Sequence, residues 1–169
     1  MVFGISQQVH VHSRRMYSTI FALSSGHGKC GVALIRVSGP KASYTFNLLT
    51  KKKTYEPRKA YLCKLRDPNS GQILDQALSV WFPGPASFTG EDVVEFQVHG
   101  GSAVVKAVLE TLGSIEDLRP AKAGEFTKRA FYSGKLNLTE VEGLADLINA
   151  ETEHQRRQAF KQLDGDLHR

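Results

Sequence analysis

Ser87-Phe88-Thr89-Gly90-Glu91-Asp92-Val93-Val94-Glu95-Phe96-Gln97-Val98-His99-Gly100-Gly101 runs a turn, a strand and a glycine break together without a spare residue. Side chains alternate across a strand, so Val94, Phe96 and Val98 share one face while Glu95, Gln97 and His99 share the other. The apolar set belongs in a core. The polar set offers three groups capable of directed hydrogen bonds beside a glycine pair. Two readings stand at this point: one wall of a ligand site, or the wet face of an antiparallel sheet.

Upstream, Ser18 to Leu23 and Gly31 to Val37 read as strands flanking the loop Ser24 to Cys30. The second is apolar on both faces except at Arg36, as expected of a central strand whose end reaches a pocket. Ser38-Gly39-Pro40 ends it, and Ala42, Phe46 and Leu49 then carry helical spacing. Lys51-Lys52-Lys53 follows, read as a solvated exit or as a contact for RNA phosphate. Lys59 to Leu65 and Ile73 to Phe82 form the arms of a hairpin through Asp67-Pro68-Asn69-Ser70-Gly71, with Leu78, Val80 and Phe82 as its inward face. Pro83-Gly84-Pro85 blocks any extension of the sheet. After the glycine pair, Ser102 caps a helix whose residues Val105, Val108, Leu109 and Leu112 share one side, and Gly113 ends it.

Beyond Arg119-Pro120 the pattern is helical. Gly124 to Tyr132 is a short amphipathic segment, and Ser133 to Leu138 is a bend. Thr139-Glu140-Val141-Glu142 and Thr152-Glu153-His154-Gln155 both have the form of a capping box, which predicts two helices with a break near 149–151. Glu153 and Arg157 are spaced for a surface pair. The last helix carries Ala159, Phe160 and Leu163. This helical unit is cut short, because two helices offer one apolar seam and nothing to cover it. The fold class expected is α+β, a mixed sheet with packed helices followed by the start of an α-helical domain.

The 169 residues carry a formal charge of +5, and no Asp or Glu precedes Glu56. Such asymmetry points to targeting or to an anionic partner. Residues 1–17 lack acids, contain Arg14-Arg15 and have no long apolar core, which suits an organelle transit segment better than a secretory signal; a frayed N-terminus is the alternative. Arg15-Met16-Tyr17-Ser18 resembles a mitochondrial processing site. No window approaches the roughly 18 consecutive apolar residues of a membrane span. Cys30 and Cys63 lack any zinc-type spacing and fit a reducing compartment, so no metal site is expected.

Several motifs fail on context. Gly26-His27-Gly28-Lys29-Cys30-Gly31 matches G-x-G-x-x-G but leads into a strand, with no acid about 20 residues on, which excludes a dinucleotide fold. Gly134-Lys135 is followed by Leu136 and has Arg129 where a P-loop needs its first glycine. No G-x-S-x-G frames a serine, so a hydrolase triad has little support, and His99 reads as a hydrogen-bonding or packing residue rather than a general base. Basic and aromatic residues do not interleave as in an RNA-stacking sheet.

Gly31 to Pro40, Trp81 to Pro85, Ser87 to Gly101 and Ala123 to Phe131, read together, resemble the N-terminal part of the MnmE/TrmE family of tRNA-modification GTPases. Gly134 to Leu138 and Glu142 to Ile148 carry the likeness into the start of that family's helical domain. With residues 1–17 read as a mitochondrial transit segment, the resemblance implies 18–133 as a folate-binding and dimerisation domain like that of aminomethyltransferases, and 134–169 as the beginning of the helical domain. It implies a tetrahydrofolate derivative, 5-formyl- or 5,10-methylene-, as cofactor, with Arg36, Glu95 and Lys135 at the positions of the family's folate contacts. The N-terminal segment suggests the mitochondrial form, and the resemblance also implies a homodimer and, in the full-length parent, GTP with potassium and magnesium. There a FAD-dependent MnmG-type partner joins it in modifying the wobble uridine (U34) of tRNA.

The chemistry of the three residues suits that role. A pterin presents adjacent N–H donors that one carboxylate accepts in parallel, and Arg36 and Lys135 can answer its oxygen or the anionic tail of folate. Alternatively, Arg36 partners a nearby carboxylate and Lys135 is a solvated turn residue. The family's GTPase domain and C-terminal cysteine motif are missing from this sequence, so a truncated isoform or a fragment is expected, without GTP hydrolysis or uridine modification of its own. A stand-alone one-carbon transferase and an RNA-binding adaptor are the competing readings.

Overall fold

The computed structural model describes residues 18–26, 28 and 30–164, so the transit-segment reading of 1–17 lies outside the described residues. The chain divides into two compact units, residues 1–123 and 124–169. In the first, β1 (Thr19–Leu23), β2 (Val32–Ser38), β3 (Tyr61–Arg66), β4 (Ile73–Phe82), β5 (Val93–His99) and β6 (Leu118–Pro120) make one sheet, with α1 (Ala42–Thr50) after β2 and α2 (Ser102–Gly113) after β5. The strand order is β3-β4-β5-β2-β1-β6. Every pairing is antiparallel except β1 with β6, so the sheet is mixed, as expected.

Strand alternation and two helices determine where the core sits. Ala33, Ile35 and Val37 of β2 join Val94, Phe96 and Val98 of β5 on the covered face, where Phe46 and Leu49 of α1 and Val108 and Leu112 of α2 meet them. Phe46 is fully buried, its ring centroid 4.2 Å from that of Tyr55 and 6.4 Å from that of Phe96. Truncating such a ring to alanine costs about 3–5 kcal/mol. Gly39 lets β2 turn into α1 against β1: at φ +137°, an added Cβ would lie 2.6 Å from Thr19 Cα.

Three local expectations are corrected. The inward face of β4 is Ala77 and Ser79, with Trp81 packed against the same core, while Leu78 is exposed and Val80 and Phe82 are half-buried. Register is the reason: Leu78 lies opposite Gln97 and Val80 opposite Glu95, which puts them on the polar side of β5. Ser102 does not cap α2; Gly101 holds the cap position, without a side-chain bond, while the helix does end at Gly113. β6, a three-residue strand ending in proline, falls just ahead of the change to helix, where no element was expected.

The second unit has three helices, α3 (Glu125–Tyr132), α4 (Leu138–Asn149) and α5 (Glu153–Leu163). α4 starts ahead of the expected Thr139 box: Asn137 is the cap, its side chain accepting the Glu140 N–H at 2.8 Å. Thr152 and Gln155 do form the reciprocal box on α5, and the break between the two helices falls where it was read. Helices α4 and α5 approach at Gly143, where a Cβ would come within 2.8 Å of Gln162 Cβ. Leu138, Ile148 and Phe160 remain exposed on this unit. No helix of the described residues is long and apolar enough to cross a membrane.

Candidate binding site on the open face of the sheet

The antiparallel register of β2 on β5 sets Arg36 directly opposite Glu95, and residues so placed project from the same face. They meet there. Arg36 Nε and Nη2 each donate to Glu95 Oε1 at 3.0 Å, bridging a sequence separation of 59 residues. On its other flank Glu95 lies opposite Val80 of β4, so the carboxylate has a cation on one side and an apolar wall on the other. Oε2 has no hydrogen-bond partner among the described residues. With side-chain exposures of 20% for Arg36 and 21% for Glu95, the pair is half-sheltered yet open to a ligand.

The segment between β4 and β5 closes one end of this face. Ser38 Oγ is 2.7 Å from Thr89 Oγ1 and donates to Glu91 Oε2 at 2.8 Å, with Ser38 and Thr89 fully buried. Gly84 N–H donates to Asp92 Oδ1 at 2.8 Å, and Ser87 Oγ donates to the Glu91 carbonyl. Gly84 also packs against backbone, since a Cβ there would lie 2.7 Å from Gly90 O. This tethering leaves Phe88 standing over the pair: its ring centroid is 5.1 Å from Arg36 Cζ. The sequence reading passed over Phe88, Ser38, Thr89 and Glu91. The available signal was the concentration of hydroxyl and acidic side chains in a turn leading straight into the polar-faced strand.

Other candidate features of the strand have structural duties. His99 is exposed, its Nδ1 2.8 Å from Asp75 Oδ1, while its backbone N–H donates to Asp75 Oδ2 at 2.8 Å, so the histidine ties the end of β5 to β4. Gly100 serves chain packing rather than a ligand: its N–H donates to Gly31 O at 3.2 Å, and a Cβ would fall 2.1 Å from Cys30 O. Lys51 and Lys53 are exposed, and Lys52 stands 4.7 Å from the Tyr61 ring centroid. Burial pushes the Cys63 thiol up from its ordinary pKa, and nearby Lys52 partly offsets the shift. Among the described residues no three His, Cys, Asp or Glu side chains gather as a metal ion would require.

Two further concavities differ in character. One of about 530 Å³ is lined by Ser18, Thr19, Pro40, Lys41, Asp117 and Arg119. Its charges answer each other, Lys41 Nζ lying 2.9 Å from Asp117 Oδ2, and that bond raises the Lys41 pKa. The other, about 420 Å³ and apolar, lies on the second unit among Lys128, Phe131, Leu138, Val141, Leu144 and Ile148. Lys135 also belongs to the second unit, exposed in the turn after α3, with its backbone N–H on Ala130 O at 2.9 Å. The structure thus brings together two of the three residues singled out, Arg36 and Glu95, and describes Lys135 within a separate unit.

A family model described as the N-terminus of the GTP-binding protein TrmE matches residues 19–135. Among curated proteins, the chain is 65% identical over 151 residues to the mitochondrial 5-taurinomethyluridine tRNA synthase subunit GTPB3 of Homo sapiens, which covers 89% of this chain and 31% of that protein. The counterpart of the same name in Danio rerio is 61% identical over 151 residues, 89% of this chain and 30% of that protein. The tRNA modification GTPase MnmE of Parvibaculum lavamentivorans is 56% identical over 149 residues, 88% of this chain and 34% of that protein. The chain therefore spans about a third of the length of these relatives, which include both mitochondrial and bacterial proteins.

Proposed function

The chain belongs to the TrmE N-terminal family, and on that footing we propose that it is the folate-binding, self-associating portion of a mitochondrial tRNA-modification GTPase acting on the wobble uridine (U34). Residues 18–133 form the binding and dimerisation domain, and 134–169 begin the helical domain. The observation that carries this reading is the Glu95 carboxylate, held by Arg36 through Oε1 while Oε2 lacks a partner among the described residues. An acceptor fixed in this way suits the adjacent N–H donors of a pterin. Its half-sheltered position strengthens each bond relative to bulk water.

In this reading Glu95 binds and orients the pterin, Arg36 fixes the carboxylate, and Arg36 and Lys135 are the cations that answer the ligand's oxygen or its anionic tail. Bound 5-formyl- or 5,10-methylenetetrahydrofolate supplies a one-carbon unit. GTP hydrolysis with potassium and magnesium, the FAD-dependent MnmG-type partner and tRNA belong to the longer protein. Titration calorimetry of the chain with 5-formyltetrahydrofolate tests the assignment: binding should occur, weaken at least tenfold in Glu95→Gln and fall in Lys135→Ala. Unchanged affinity in Glu95→Gln would discard the site. Sedimentation equilibrium should find a dimer.

A further inference from the structure

The geometry points to Phe88 as the residue that packs on the planar pyrimidinone ring of a reduced pterin at this site, an inference that rests on the folate reading and extends it. Phe88 and Glu95 are neighbours across one guanidinium: the ring centroid lies 5.1 Å from Arg36 Cζ, and Arg36 Nη2 lies 3.0 Å from Glu95 Oε1. A ligand whose N–H groups reach Glu95 Oε2 thus binds beside an aromatic face. The planar pyrimidinone half of a reduced pterin, which carries the adjacent N–H donors, satisfies an in-plane carboxylate and an adjacent π-surface together.

The placement of Phe88 is built rather than incidental. Its neighbours on both sides are held, Ser87 by the Glu91 carbonyl and Thr89 by Ser38 beneath the loop. Thr89 is fully buried, whereas Phe88 stays 36% exposed and lies outside the main core. The ring also covers one face of the Arg36 guanidinium that holds Glu95.

Titrations with 5-formyltetrahydrofolate and with p-aminobenzoylglutamate, the part of folate without its pterin, test the role of Phe88 in the 169-residue chain. Phe88→Leu keeps apolar bulk but removes the π-face. It should bind 5-formyltetrahydrofolate roughly tenfold or more weakly, leave p-aminobenzoylglutamate affinity unchanged and unfold at the same urea concentration as the unaltered chain. Phe88→Tyr should bind within about threefold of the unaltered chain, since the face is retained. If Phe88→Leu and Phe88→Ala bind like the unaltered chain while Glu95→Gln does not, the inference fails and the folate reading survives. Failure of the unaltered chain to bind 5-formyltetrahydrofolate overturns both.

Discussion

Arg36 and Glu95 grip each other at 3.0 Å, yet little of the fold's stability resides in them. Each side chain keeps about a fifth of its surface in water, where an ion pair is worth at most about 1 kcal/mol. Urea unfolding of Glu95→Gln, followed by circular dichroism, should therefore differ from that of the unaltered chain by no more than about 1 kcal/mol. A larger loss would make the pair a structural strut and remove the ground for treating its second oxygen as available. Ser79 is the converse case. Its hydroxyl is fully buried on the core face of β4 and, like Trp81 Nε1, has no hydrogen-bond partner among the described residues. An orphan of that kind costs about 1–3 kcal/mol, so Ser79→Ala should leave stability unchanged or raise it by about 1 kcal/mol in the same assay. A clear loss would mean that the hydroxyl is bonded after all.

At the scale of elements, α5 ties its own first turn together by charge. Glu153 accepts from Arg156 at 2.7 and 2.9 Å and from Arg157 at 3.1 Å, and these bonds hold its carboxyl at a pKa of about 2, below the ordinary 4.5. A pKa depressed in the folded state contributes stability that is present above the unfolded value and is lost as pH falls through the folded one. The helix should thus weaken between pH 4.5 and about 2, and Glu153→Gln should flatten that part of the profile. Carboxyl chemical shifts against pH would check it; an apparent pKa near 4.5 would refute it. The box that starts this helix was legible because Thr152 and Gln155 are the right types at the right spacing. The cap of α4 was not, because the bend offers both Asn137 and Thr139, and it is Asn137 that holds the cap position, its oxygen on the Glu140 amide. β4 misled for a similar reason: Leu78, Val80 and Phe82 are bulkier than Ala77 and Ser79, so alternation alone favoured the wrong face, and only pairing with β5 decides. The polar side of β5 was readable from alternation, whereas its partner on β2 depends on a long-range register that no local pattern carries. Phe88 sits in a loop, where no periodicity marks a contact.

On the whole-molecule scale, the main core draws only on residues between Phe21 and Leu118, all in the first unit. A fragment of residues 18–123 should therefore unfold in one cooperative transition. Residues 124–169, with Leu138, Ile148 and Phe160 exposed on three short helices, should show only partial helicity alone. Circular dichroism of the two fragments decides this, and a non-cooperative first fragment would contradict the division. The strand order carries one more consequence. β5 is the last of the four central strands to be made, yet it lies between β4 and β2, both synthesised before it. On the ribosome, the early hairpin and the early strand pair must wait as separate pieces until their keystone emerges, and it brings the gripping carboxylate with it. A ligand held by that carboxylate would stabilise only the closed sheet.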